Sequence, residues 1–108
     1  MNVQKLFERY NRRFWEGKLA GWTVSEVHCS DGGPRGDLGH TDNEAQEIFI
    51  QIGLPSAERR DTLLHEMCHA ATPSDLCHGD LWQKEMLRID KLGARGMAKE
   101  RTLASSPR

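Results

Sequence analysis

The chain has 108 residues, 37% of them hydrophobic and 29% charged, with a formal net charge of −1. That length suits one domain built on a single core, and the composition is that of a globular chain, which excludes fibrous and disordered classes. No apolar run approaches the ~20 residues that span a bilayer, and the opening MNVQKLFERYNRRF interleaves charges with apolar residues as a secretory signal does not, so the expectation is a cytoplasmic monomer without a membrane partner.

The three cysteines, Cys29, Cys68 and Cys77, form no CxxC pair. An odd count without that pair argues against a disulfide framework and against a zinc ribbon, and reduced thiols are expected. The charge is unevenly spread. Residues 1–83 hold eight Lys/Arg against thirteen Asp/Glu, and residues 84–108 hold seven against three. A basic end of this kind can touch nucleic acid, although it is commonly just a solvated surface.

In chain order, residues 2–16 place Val3, Leu6, Phe7, Tyr10 and Phe14 at helical spacing, with Asn2 placed to cap the start and Gly17 to end it. A strand is expected from Trp22 to Cys29, followed by the turn chemistry of Asp31-Gly32-Gly33-Pro34. A short second strand is expected around Gly36–Thr41. Residues 46–52 alternate with period two, Ile48, Ile50 and Ile52 on one face and Phe49 and Gln51 on the other, as in a half-buried strand.

A second helix opens at Pro55-Ser56 with Ser56 as N-cap and must stop near Thr72, because Pro73 cannot continue it. A third helix starts at Asp80, spaced from Gln83 as in a capping box, buries Trp82, Met86 and Ile89, and ends at Gly93. The order predicts an α+β fold with a small antiparallel sheet of two or three strands. The domain is expected over residues 1–93, with residues 94–108 a loose basic tail.

The second helix carries His65-Glu66-Met67-Cys68-His69, an HExxH pattern. At about 100° per residue His65 and His69 lie ~40° apart, one turn displaced, and Glu66 projects ~60° beyond His69. Two imidazoles can therefore reach one divalent ion, with a carboxylate beside its open side. Leu64, Cys68 and Ala71 with Ala57, and Leu63, Met67 and Ala70, mark apolar stripes of a largely buried helix. Glu58, Asp61, Thr62, His65, Glu66 and His69 fill its remaining face. Two histidines and three acids on such a helix are expensive to desolvate without a partner, and a divalent cation supplies one.

A hydrolytic zinc takes three protein ligands and leaves a fourth position for water. His78, five residues past the Pro73 break, is the preferred third ligand. Cys77 and Asp75 are its rivals, and Glu85 on the third helix is the choice for a glutamate-type site. Imidazole suits a hydrolytic ion better than thiolate, which dampens its acidity. Asp61, one turn before His65, is either a hydrogen-bond partner of that ring or a surface acid. His40 is a remote candidate for stabilising an oxyanion, although a lone histidine such as His40 or His28 is commonly just a surface or satisfied residue. The set implies peptide hydrolysis by a zinc-activated water with Glu66 as general base.

The segment Leu63-Leu64-His65-Glu66-Met67-Cys68-His69-Ala70, then Pro73, then His78-Gly79-Asp80-Leu81-Trp82, resembles the SprT-like (Spartan-type) zinc metallopeptidase family. So does the run from Leu6-Phe7 through Asn11-Arg12-Arg13-Phe14-Trp15-Glu16-Gly17-Lys18-Leu19, and the likeness covers about residues 6–92. It implies a zincin-like fold with His65, His69 and His78 as metal ligands, Glu66 as catalyst and Trp82 packed under the site. It also implies a protein or peptide substrate, and, as in Spartan-type members, proteins crosslinked to DNA. Residues 1–83 would repel a phosphate backbone, so only weak DNA contact by the basic end is expected. A non-catalytic zinc-binding or nucleic-acid-binding adaptor on the same fold is the alternative.

Overall fold

The computed structural model describes residues 2–28, 38–75 and 78–94. Helix α1 (Val3–Trp15) begins at Asn2, whose side chain accepts the Lys5 N–H at 2.9 Å. It ends where Glu16 and Gly17 both turn to positive φ, 54° and 80°. The chain then wraps back on the helix, and the buried Asn11 side chain accepts the Leu19 N–H at 2.9 Å. That bond fixes the hand-over to strand β1 (Thr23–Val27), whose Val24 N–H is taken by Gln4 of α1 at 2.8 Å.

Strand β2 (Gly39–Asp42) and strand β3 (Glu47–Gln51) form a hairpin. Its turn is built by Asp42, whose carboxylate accepts the N–H groups of Glu44 and Ala45, and by Gln46 at φ 58°. The expected antiparallel sheet is corrected to a mixed one: the order is β1-β3-β2, with β3 antiparallel to β2 and parallel to β1. The reason lies in β3. Ile48 and Ile50 are fully buried, so this strand takes the centre, where both edges are paired. β1 and β2 run in opposite directions on either side of it, so β3 must be parallel to one of them.

Val24 lies opposite Ile48 across β1–β3, and Thr41 and Gly39 lie opposite Ile48 and Ile50 across β2–β3. These side chains share the face that the helices cover. Ile52, expected on the same face, falls beyond the strand and is 46% exposed.

Helix α2 (Ser56–Ala71) packs on β2 and β3 through Leu63, Leu64 and Met67. Its N-cap is Pro55, and Ser56 is the first helical residue without a capping bond, which corrects the Ser56 assignment. Ala57 is exposed and Ala71 half-buried, so the buried stripe is narrower than predicted. Helix α3 (Asp80–Lys91) packs on α2 through Trp82, Met86 and Ile89, and the left-handed Gly93 follows it. Ala94 closes on the core with an N–H bond to Ile89, inside the folded part although expected in the tail. The turn at 31–34, Cys29, Cys77 and the tail from residue 95 lie outside the described residues. No helix among the described residues is long and apolar enough to cross a membrane.

Candidate metal centre

His65 and His69 sit one turn apart on α2, half-buried, beside Leu64 and Cys68 in the core. After Ala71 the helix stops before Pro73, and the Thr72 hydroxyl donates to the Cys68 carbonyl at 2.8 Å, satisfying one of the carbonyls a helix end leaves open. The chain then turns at Asp75. Its carboxylate accepts the N–H of Gly79, the residue before α3, at 3.2 Å and of Trp82 in the first turn at 3.1 Å, so it satisfies one of the open N–H groups of α3. This is the capping role expected of Asp80, and it is done by a residue of the preceding loop. A Cβ at Gly79 would lie 2.8 Å from that carboxylate, so glycine permits the close approach. The Gln83 side chain donates to the His78 carbonyl at 2.7 Å and completes the clasp.

The clasp brings His78 back over α2. His65 Nε2 and His78 Nε2 are 3.1 Å apart, and one nitrogen from each of His65, His69 and His78 lies within 4.8 Å of the others. Their ring centroids stand 5.0 to 5.3 Å apart, close to an equilateral triangle. Tetrahedral zinc, with Zn–N of about 2.0–2.1 Å, separates its ligand nitrogens by about 3.4 Å, close to the 3.1 Å between His65 and His78. Trp82 forms the floor, its ring centroid 4.3 Å from His78, 4.7 Å from His65 and 5.3 Å from His69. Its indole N–H points to the His65 carbonyl at 3.4 Å.

Burial pushes the His69 pKa down to about 4, with His65 and His78 repelling a further positive charge and Asp75 partly opposing them. A neutral imidazole is the form that ligates a metal. The grouping of the three imidazoles and the neutral form favoured at His69 fit a donor set that zinc takes.

Glu66 is buried at 7% exposure. The Thr41 hydroxyl on β2 lies 2.6 Å from its carboxylate Oε1 and 3.1 Å from its backbone carbonyl. A Cβ at Gly39 would come within 2.9 Å of Glu66 Cγ and Oε2. No sequence motif marks Thr41 or Gly39. Their signal was the period-two spacing that puts residues 39 and 41 on the helix-facing side of β2, legible only once the strand was registered on β3.

Two of the rival ligands, Asp75 and Glu85, are engaged elsewhere. Asp75 caps α3. The Glu85 carboxylate accepts from the Trp15 indole and from Arg88. Burial raises its pKa, but the hydrogen bonds of Arg88 and Trp15 outweigh this, and it is held below the usual carboxylate range. Asp61 is half-buried and accepts from Arg60 at 3.0 Å. His40 stacks on Phe49 at 6.3 Å, on the opposite face of β2 from Thr41. Cys77 lies outside the described residues, and the buried thiol of Cys68 is pushed well up by burial, with Glu85 adding to the rise.

The profile of the SprT-like family matches residues 3–102, which include every helix and strand described above. The chain belongs to the SprT-like family. It is also 35% identical over 94 residues to human germ cell nuclear acidic protein, a match that covers 75% of this chain and 14% of that protein. This SprT-like chain therefore spans about one seventh of the length of that relative. No solved structure matches it. The family match takes in the HExxH helix, the loop that returns His78 and the Trp82 floor as one continuous unit.

Proposed function

We propose that this chain is a zinc-dependent endopeptidase in which His65, His69 and His78 hold the ion and Glu66 is the general base. The observation that carries the reading is the convergence of three imidazoles above Trp82, next in sequence to a buried carboxylate. Zinc bound there supplies Lewis acidity, which polarises a scissile carbonyl and acidifies water. Glu66 accepts a proton from the attacking water as the new C–O bond forms, and gives it to the leaving amine as the C–N bond breaks. The Trp82 ring and the Asp75 clasp hold the imidazoles in orientation, and the partial burial of His65 and His69 limits access of bulk water.

The substrate is a protein or peptide. Proteins held on DNA are the class that the Spartan-type likeness favours, with DNA contact by this chain itself weak. A purely structural zinc site has no use for a base and closes its fourth position with protein, which weighs against an adaptor role.

Glu66→Gln tests the reading, because the amide fills the same space and cannot take the proton. The variant is expected to keep one zinc per chain and its fold while losing ~10²–10⁴-fold in peptide hydrolysis. Undiminished hydrolysis removes Glu66 as the base. A wild-type protein that binds one zinc and cleaves no peptide or casein makes this chain an adaptor.

A further inference from the structure

We propose that Thr41 is the positioning residue of the Glu66 carboxylate, with Gly39 providing the space for it; the proposal rests on the reading of Glu66 as general base. The Thr41 hydroxyl has one proton, and the 2.6 Å separation from Oε1 is in the range of a charge-assisted O–H···O⁻ bond, against 3.1 Å to the Glu66 carbonyl. Threonine is stiff at χ1, and its backbone is fixed by pairing with Ile48 in the central strand, so the donor is held before substrate arrives. Two residues earlier, on the same face, β2 approaches α2 so closely that a Cβ at Gly39 would meet Glu66 Cγ, Glu66 Oε2 and Thr62 Cγ2, all at 2.9 Å. This glycine is required by space.

A glutamate carries three rotatable side-chain bonds, and a base that swings among rotamers spends little time aligned with its proton. Here strand backbone confines the carboxylate on one side and a hydroxyl anchors one oxygen. The edge strand thereby sets the aim of the helix-borne base, a coupling that HExxH spacing alone does not contain. A purely structural tie between β2 and α2 would affect stability and leave the chemical step alone.

The test uses the full chain, zinc-loaded, as wild type, Thr41→Val, Thr41→Ser and Glu66→Gln. Thr41→Val keeps the size and branching of the side chain and removes the donor. It is expected to keep one zinc per chain with affinity unchanged within about twofold, and to lose kcat by up to ~10²-fold, the scale of misplacing a catalytic group by about 1 Å. KM should stay within about threefold, and Thr41→Ser should recover most of kcat. In metal-free crystals, the Glu66 side chain should leave its wild-type rotamer in Thr41→Val and keep it in Thr41→Ser. If Thr41→Val fails to fold, Thr41→Ala with the same readouts takes its place.

Wild-type kcat in the donor-free variant, equal losses in the Val and Ser variants, or a loss that follows zinc content overturns the proposal. Full activity in Glu66→Gln sinks the base assignment itself. An inactive Glu66→Gln beside a fully active Thr41→Val sinks only the role of Thr41.

Discussion

The carboxylate of Asp75 accepts the backbone N–H of Trp82 at 3.1 Å, so a residue that could have ligated a metal instead builds the end of the helix carrying the aromatic floor. Because the same carboxylate takes the Gly79 N–H, one side chain ties the residue next to His78 to the start of α3. Asp75→Ala is expected to lower stability by about 1 kcal/mol, the usual scale of a lost cap, or roughly 4–8 °C in Tm for a domain of this size. Zinc affinity should fall with it, while Asp75→Asn, which can still accept, keeps most of both. Thermal melts with and without chelator check this, and an unchanged melt in the Ala variant rules out the capping role.

Much of this arrangement was legible beforehand. The helix limits follow from Asn2, Pro73 and Gly93, each of which acts on the backbone within a few residues of itself. The grouping of His65 with His69 follows from helical periodicity. What local pattern does not encode is pairing across distance. The parallel register of β1 on β3 depends on which strand is buried at the sheet centre, and the contact of Thr41 with Glu66 spans 25 residues. Local pattern points to Asp80 and Ser56 as caps, but Asp75 reaches the Gly79 and Trp82 N–H groups from the preceding loop, and Pro55 takes the cap position of α2.

For the metal, His65→Ala, His69→Ala and His78→Ala are each expected to abolish stoichiometric zinc, whereas Glu85→Ala and Cys77→Ala retain it. Glu85 is occupied by Arg88 and Trp15, so its loss should appear in stability and not in metal content. Metal analysis of the purified variants decides. Zinc retained in His78→Ala and lost in Cys77→Ala would reverse the choice of third ligand.

The depressed pKa of His69 makes the metal-free protein sensitive to acid. Between about pH 6.5 and about 4 the unfolded chain holds a proton on this residue that the folded chain does not, so stability falls as pH falls through that window and levels off below it. In chelator, the urea midpoint of wild type should therefore drop more between pH 7 and pH 4.5 than that of His69→Gln, which has no such proton to gain. Parallel pH profiles for the two proteins would show that His69 is not a source of the acid sensitivity.

On α3, Lys84, Arg88 and Lys91 share helical spacing as a candidate DNA-facing strip, but they are not equivalent. Arg88 donates to Glu85 at 2.8 and 3.1 Å and lies 5.7 Å from the Trp15 ring centroid, so its charge is already partly neutralised within the fold. Lys84 and Lys91 are exposed. Neutralising Arg88 should therefore lower thermal stability, because the half-buried Glu85 loses its cation, and should change DNA affinity little. Lys84→Gln with Lys91→Gln should leave stability within about 0.5 kcal/mol, as is usual for surface substitutions. If both lysines contact phosphates, the double change should reduce the slope of log K against log salt by about 1.8, at about 0.9 per contact on duplex DNA. Binding is expected to be weak and independent of sequence, and fluorescence anisotropy at about 20 mM salt, where charges are little screened, is the sensitive assay. If the wild-type chain shows no binding under that condition, the proposal of DNA contact by α3 falls, while the proposal of a metal at His65, His69 and His78 is unaffected.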